Sequence, residues 1–274
     1  MHSQGQLVLA DAGRGAAPRD GIGAAHLPGP GTAAPDEVFA AYEALGHARP
    51  GTAWRAFVGR FHWAASLPGA EPADHDPRTV PRALATDGGH VLSGRWHLAP
   101  SARDARWVAL PAVVDRGRPV FVVRRAQGAE DADGYRLRDL FVPAGLTSPA
   151  SGTPLRGSDA PYAWIAATGM ALGSARRLLA EGPATHLAAL LERERDAARR
   201  QLRDTSATGG GSERLAERVE RAAHVVREVY SACCEEGPDG LPLRPRSLVT
   251  AGAPLLQFLR FATELLPPPG AGAR

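Results

Sequence analysis

The chain has 274 residues, 44% of them hydrophobic and 22% charged, the balance of a globular protein with one large core or two smaller units sharing one. Its 32 basic residues are all arginine and are interspersed among 29 acidic ones, for a net charge of +3. The clustered basic face with interleaved aromatics that a nucleic-acid binder needs is not there. The absence of lysine excludes Schiff-base chemistry and a Walker-type phosphate loop.

No stretch approaches the roughly 18–20 apolar residues that cross a bilayer. The opening MHSQGQLVLADAGRG has no basic run ahead of its apolar patch, so it does not read as a secretory signal. The expected setting is cytoplasmic, with no membrane and no nucleic acid as partners. The adjacent pair Cys233 and Cys234 cannot form an unstrained disulfide with each other, and two thiols are too few for a structural zinc site.

Residues 1–34 are rich in Gly, Pro and Ala and read as a lead-in without periodicity. The segment 35–86 reads as a helical region. In it, Val38, Phe39, Tyr42 and Leu45 form one apolar stripe behind Asp36 and Glu37, which suit a helix N-terminus. A second helix follows from Thr52, with Trp54, Phe57, Val58 and Phe61 at helical spacing. Residues 71–82 carry three prolines and read as a loop.

From residue 87 to 143 the period changes to two. The runs HVLSGRWHL, RWVALPAVV, PVFVVRR and YRLRDLFVP are short, β-branched and aromatic, and predict a compact antiparallel sheet that helices must cover. A linker spans 144–160. A C-terminal helical bundle then fills 161–266, in four segments: 161–181, 184–204, 213–235 and 246–266. The first of these is crowded with Ala163, Ala166, Ala167, Gly169, Ala171, Gly173 and Ala175, a surface made for close backbone approach in a bundle or an oligomer interface. TSATGGGS (205–212) reads as a flexible connector and the last residues as a frayed tail. The fold class expected is α+β: N-terminal helices, a small antiparallel β-domain, then a helical bundle.

Three passages, DGGHVLSGRWHLAPSARDARWVAL (87–110), LRDLFVP (137–143) and DEVFAAYEALGHARPGTAW (36–54), together with ATGMALGSARRLLAE (167–181), resemble the acyl-CoA dehydrogenase superfamily. The nearest look is to its branch of flavin-dependent hydroxylases and tailoring enzymes, here in shortened form. The resemblance implies a flavin, FAD or FMN, with Trp96 packing near the isoalloxazine ring and the residues after it, His97, Leu98 and Ser101, along the flavin edge. The hydroxyl position of the family falls on Pro100, which has no N–H to give. It also implies a homodimer or higher homo-oligomer and a hydrophobic or carrier-bound small-molecule substrate, in the manner of secondary metabolism.

By the two-residue period His97 points away from Trp96, where it is either a surface histidine or an acid/base beside a pocket. Asp74-His75-Asp76 suggests a metal site, but this lone triplet in a Pro-rich loop has no second ligand cluster. Glu220, Glu228, Glu235 and Glu264 are the carboxylates available as a base, and no motif selects among them. Two functions stand open: a flavin-dependent oxidoreductase or hydroxylase, and a flavin-free relative that binds or cyclises a small molecule or supports a partner enzyme.

Overall fold

The computed structural model describes residues 27–28, 33–76, 78–115, 117–150, 152–181, 185–208, 212–234 and 246–267. The lead-in up to residue 26, the connector residues 209–211, Glu235 and the tail beyond 267 lie outside these. The fold is α+β. Two helices, α1 (Pro35–Ala48) and α2 (Pro50–Arg60), come first. Eight strands follow among the described residues: β1 (Ala70–Pro72), β2 (Arg82–Thr86), β3 (Gly89–Leu98), β4 (Trp107–Pro111), β5 (Val120–Arg124), β6 (Ala129–Asp131), β7 (Gly134–Pro143) and β8 (Thr147–Ser148). The chain closes with α3 (Ala160–Ala180), α4 (Ala188–Thr208), α5 (Ser212–Cys234), α6 (Arg246–Leu259) and the short α7 (Ala262–Leu265).

The β-layer is two sheets, where the sequence pattern predicts one. In the larger sheet β3 lies at the centre, with β7 and then β6 on one side, and β1 and β2 end to end on the other. The smaller runs β4-β5-β8. The region 35–86, expected to be helical, thus also carries two strands, one at each end of the loop read over 71–82 and each held by its pairing to β3: Ala70 opposite Leu98, Leu84 opposite Val91. Leu92, Trp96, Tyr135, Leu137 and Val142 are buried on the larger sheet's inner face. His90 meets Phe121 edge-on at 5.2 Å, which puts the Phe121 and Leu110 side of the smaller sheet against the larger one.

In the helical layer α3 is the hub. Its small residues face α1: a Cβ added at Gly169 would come within 2.6 Å of the Phe39 carbonyl oxygen, and one at Gly173 within 2.0 Å of that of Glu43. The surface that allowed either a bundle or an oligomer contact is therefore taken by the chain's own first helix. Glu43, only 2% exposed, sits on this seam. It accepts from Arg176 on α3 at 2.9 Å and from Arg199 on α4 at 2.6 Å, with Arg195 at 3.3 Å. Buried charges persist where they are paired in this way. Trp54, Phe57 and Trp63 pack around Phe258 of α6 with ring centres 5.0–5.4 Å apart, which fixes the last long helix to the first two.

Candidate functional site

The end of β3 carries the residues that the resemblance assigns to a cofactor. Trp96 lies on the inner face, fully buried, and its indole N–H donates to the Pro111 carbonyl at 2.9 Å. It thereby ties the larger sheet to β4. Leu98, on the same side, is half-buried and packs on the core. His97 and Ser101 are exposed. Strand parity has put these four on different surfaces, and the chain does not bring them together around one opening.

A flavin edge needs free donors beside an uncovered aromatic face. Here β1 runs along the end of β3 and pairs with Trp96, His97 and Leu98. The Ala99 N–H donates to the Gly69 carbonyl at 3.1 Å and the Ala102 N–H to that of Ala99 at 2.8 Å, while Pro100 has no N–H. Ser101 keeps one exposed hydroxyl. The Trp96 ring is fully buried by protein on both faces. These residues do not fit a flavin seated on β3.

The seam between the β-layer and the C-terminal helices is closed by direct contacts. The Gly145 N–H donates to Gln257 Oε1 at 2.8 Å, and a Cβ at Gly145 would come within 2.1 Å of the Pro254 carbonyl oxygen. Further along, Trp107 Nε1 donates to Glu264 at 2.7 Å; Arg106 also reaches Glu264, and Arg124 lies over the rings of Trp107 and Phe261. Of the carboxylates considered as a base, Glu264 is a joint between modules and Glu228 lies 3.6 Å from the exposed His224. Glu220 lines a shallow groove on α5 with Glu217 and Arg221.

The opposite face of the larger sheet is open. A groove of about 830 Å³ runs over it, lined by Asp74, Arg95, His97, Asp133, Arg136 and Arg138 among others. Sequence parity finds His97 on this face. It finds Arg138 there too, next to the inward Leu137, and what it misses is the bulge that follows. Leu92 pairs with Leu140 but Gly94 with Leu137, so Arg138 and Asp139 together face Ser93.

One wall of the groove is the Asp74 loop. Asp74 accepts from the Asp76 N–H at 2.8 Å and from the Thr79 hydroxyl, and the Asp76 N–H above all holds the Asp74 carboxyl below its ordinary range. The triplet that resembled a metal ligand set is a turn, and no group of three or more possible metal ligands occurs among the described residues.

No protein-family model matches the chain. The ribosome maturation factor RimM of Paracidovorax citrulli (strain AAC00-1) is 36% identical over 111 residues, which is 35% of this chain and 54% of that protein. The chain therefore spans about half the length of the curated relative it matches. Among solved structures, the HsaA monooxygenase from M. tuberculosis is 14% identical with a TM-score of 0.38, covering 88% of this chain and 85% of its own. A glutaryl-CoA dehydrogenase from Mycobacterium smegmatis in complex with FADH2 is 16% identical with a TM-score of 0.39, covering 83% and 76%. Butyryl-CoA dehydrogenase from Megasphaera elsdenii is 15% identical with a TM-score of 0.38, covering 83% and 78%. All three TM-scores lie below 0.5, and the likeness supports no assignment.

Proposed function

We propose that this chain is a shortened acyl-CoA dehydrogenase-like protein that keeps the sheet-and-bundle scaffold of a flavin-dependent oxidoreductase and works without a flavin on β3. On this reading it binds or reshapes a small molecule, or supports a partner enzyme. The observation that carries the proposal is the closed seam: Gln257 on Gly145, Glu264 on Trp107 and the Trp96 indole on Pro111 occupy donors, acceptors and space that a cofactor between sheet and bundle would need. A fold alone decides no activity, so the residues of the site decide here.

The second reading, a flavin-dependent oxidoreductase or hydroxylase, is favoured by the run Gly94-Arg95-Trp96 and by the exposed Ser101 hydroxyl at the end of the same strand. Purifying the protein and titrating it with FAD and with FMN separates the two. The first reading expects a colourless protein whose tryptophan fluorescence neither flavin changes saturably. A yellow protein that loses its colour on Trp96→Ala, while still folded, overturns it in favour of the second.

A further inference from the structure

The bulge in β7 has a geometry that calls for a reason. Asp139 holds a φ of 49°, in the left-handed region that side chains other than glycine rarely adopt, and among the described residues it is the only such case. Ser93 across the strand pair holds it there: the Ser93 hydroxyl donates to Asp139 Oδ1 at 2.9 Å and accepts the Asp139 N–H at 2.8 Å. A bulge re-aims the side chain beside it, and a strained residue kept by its surroundings is characteristic of a working site. The residue beside the bulge is Arg138, which faces outward by the alternation that buries Tyr135 and Leu137, and it lines the groove.

The carboxylates around the groove are already engaged. Asp133 pairs with Arg95 at 3.2 Å, Asp131 with Arg136 at 2.7 Å, Asp139 with Ser93, and Asp74 with its own turn. Arg138 makes no ion pair among the described residues and is exposed at the groove, so its guanidinium donors are available to a ligand there. Since His97 lies beside Gly134, four residues of strand separate it from Arg138. That is about 13 Å at ~3.3 Å per residue, the length of a small molecule rather than of a single ion. The groove volume falls within the roughly 300–1,000 Å³ of small-molecule sites.

We propose that this outer sheet face is a binding groove for a small molecule carrying phosphate or carboxylate groups. Arg138 is the anchor for an oxyanion, Arg95 and Arg136 line the middle, and His97 lines the far end. A guanidinium fork suits both oxyanions, and two parallel N–H donors to one group give it orientation as well as affinity. Ser93 is a positioning residue, acting through the bulge it locks. This groove lies on the face opposite Trp96, so the proposal holds whether or not a flavin binds elsewhere.

The test is calorimetric titration of the full chain with inorganic pyrophosphate and, separately, with citrate, at fixed ionic strength. The expected result is saturable one-site binding of at least one probe, the tighter one identifying phosphate or carboxylate as the source. Arg138→Gln should weaken it about tenfold, the loss of one charge-assisted bidentate contact. Arg227→Gln, an exposed arginine on α5, should leave it unchanged. Ser93→Ala should weaken binding with the melting profile still cooperative, and Ser93→Thr, which retains the hydroxyl, should restore it. Absence of saturable binding up to about 10 mM of either probe, a range weaker than ~3 kcal/mol of affinity, overturns the groove, as does unchanged affinity in Arg138→Gln. Equal binding by Ser93→Ala overturns the role of the bulge.

Discussion

Trp107 and Glu264 lie 157 positions apart in sequence and meet at 2.7 Å, indole N–H to carboxylate, where β4 abuts the last helix. Trp107 is buried and Glu264 mostly so, and this bond joins the β-layer to the C-terminal helices. Glu264→Ala should cost about 1–3 kcal/mol, the range for leaving a buried donor without its partner. Trp107→Phe, which removes the donor as well, should rescue part of that loss in the double variant. A double-mutant cycle by chemical denaturation checks it; strict additivity would mean the bond contributes nothing.

Trp96 should be a stability residue. Trp96→Phe keeps most of the volume but leaves the Pro111 carbonyl without its donor, for about 1–2 kcal/mol. Trp96→Ala should cost about 3–5 kcal/mol through the cavity it opens. Equilibrium unfolding of the two variants is the measurement, and near-native stability for Trp96→Ala would show that the indole is not the pin between the sheets.

Glycine at position 173 should resist the substitution that helix propensity favours. An alanine in an exposed helix gains up to ~1 kcal/mol over glycine. At this position the added methyl would meet the Glu43 carbonyl oxygen at 2.0 Å, so α1 must move away. Gly173→Ala is expected to destabilise by about 1–3 kcal/mol, the usual range for overpacking. A raised melting temperature would contradict the close approach of the two helices.

The Glu43 cluster answers to charge more than to shape. Glu43→Gln keeps the volume and leaves Arg176, Arg195 and Arg199 facing one another, with Glu192 and Asp196 the carboxylates that remain beside them. A fully buried pair broken on one side costs about 3–5 kcal/mol. Arg176 and Arg199 are each 36% exposed and partly hydrated, so about 2–3 kcal/mol is expected here. Melting curves of Glu43→Gln in low and high salt read it, since added salt screens the remaining repulsion and narrows the difference from the parent chain.

Two histidines set the acid side of the stability profile. Burial against Phe121 holds His90 below its ordinary value of 6.5. His47 is lowered by burial first and then by the charges of Arg176 and Arg177. A depressed histidine favours the neutral form in the folded state, so the unfolded chain binds more protons once the pH drops below about 6.5. Stability should be unaffected by these groups above that value and fall as the pH descends from 6.5 through the depressed values. His90→Phe, which keeps the ring stack, should flatten the slope without abolishing it, because His47 remains. Thermal melts between pH 7.5 and 5, about the span in which histidine titrates, test it.

Much of this architecture is written in local pattern. Val38, Phe39, Tyr42 and Leu45 at helical spacing announce α1, and the alternation of Leu92, Gly94, Trp96 and Leu98 announces β3. The strands the pattern does not show are those whose conformation comes from a neighbour. Pro72 in β1 and Pro81 just ahead of β2 obscure strand character that pairing with β3 imposes, and β6 is three exposed residues. The same holds for the site. Parity alone puts His97 and Arg138 outward, but LRD in β7 reads as plain alternation, and only Ser93, 46 residues away, makes Asp139 turn. The Ala/Gly crowding of α3 foretells close packing without saying against what.

Because α1 lies backbone to backbone on α3, the stretches before and after the β-layer are two halves of a single cooperative body. A cut made anywhere between them leaves each fragment with half a helix interface, and Gly169 and Gly173 bare to water. Neither piece should fold by itself. Mixed together, the two should recover native helicity by reassociation, as a split reporter does, with a midpoint that depends on concentration.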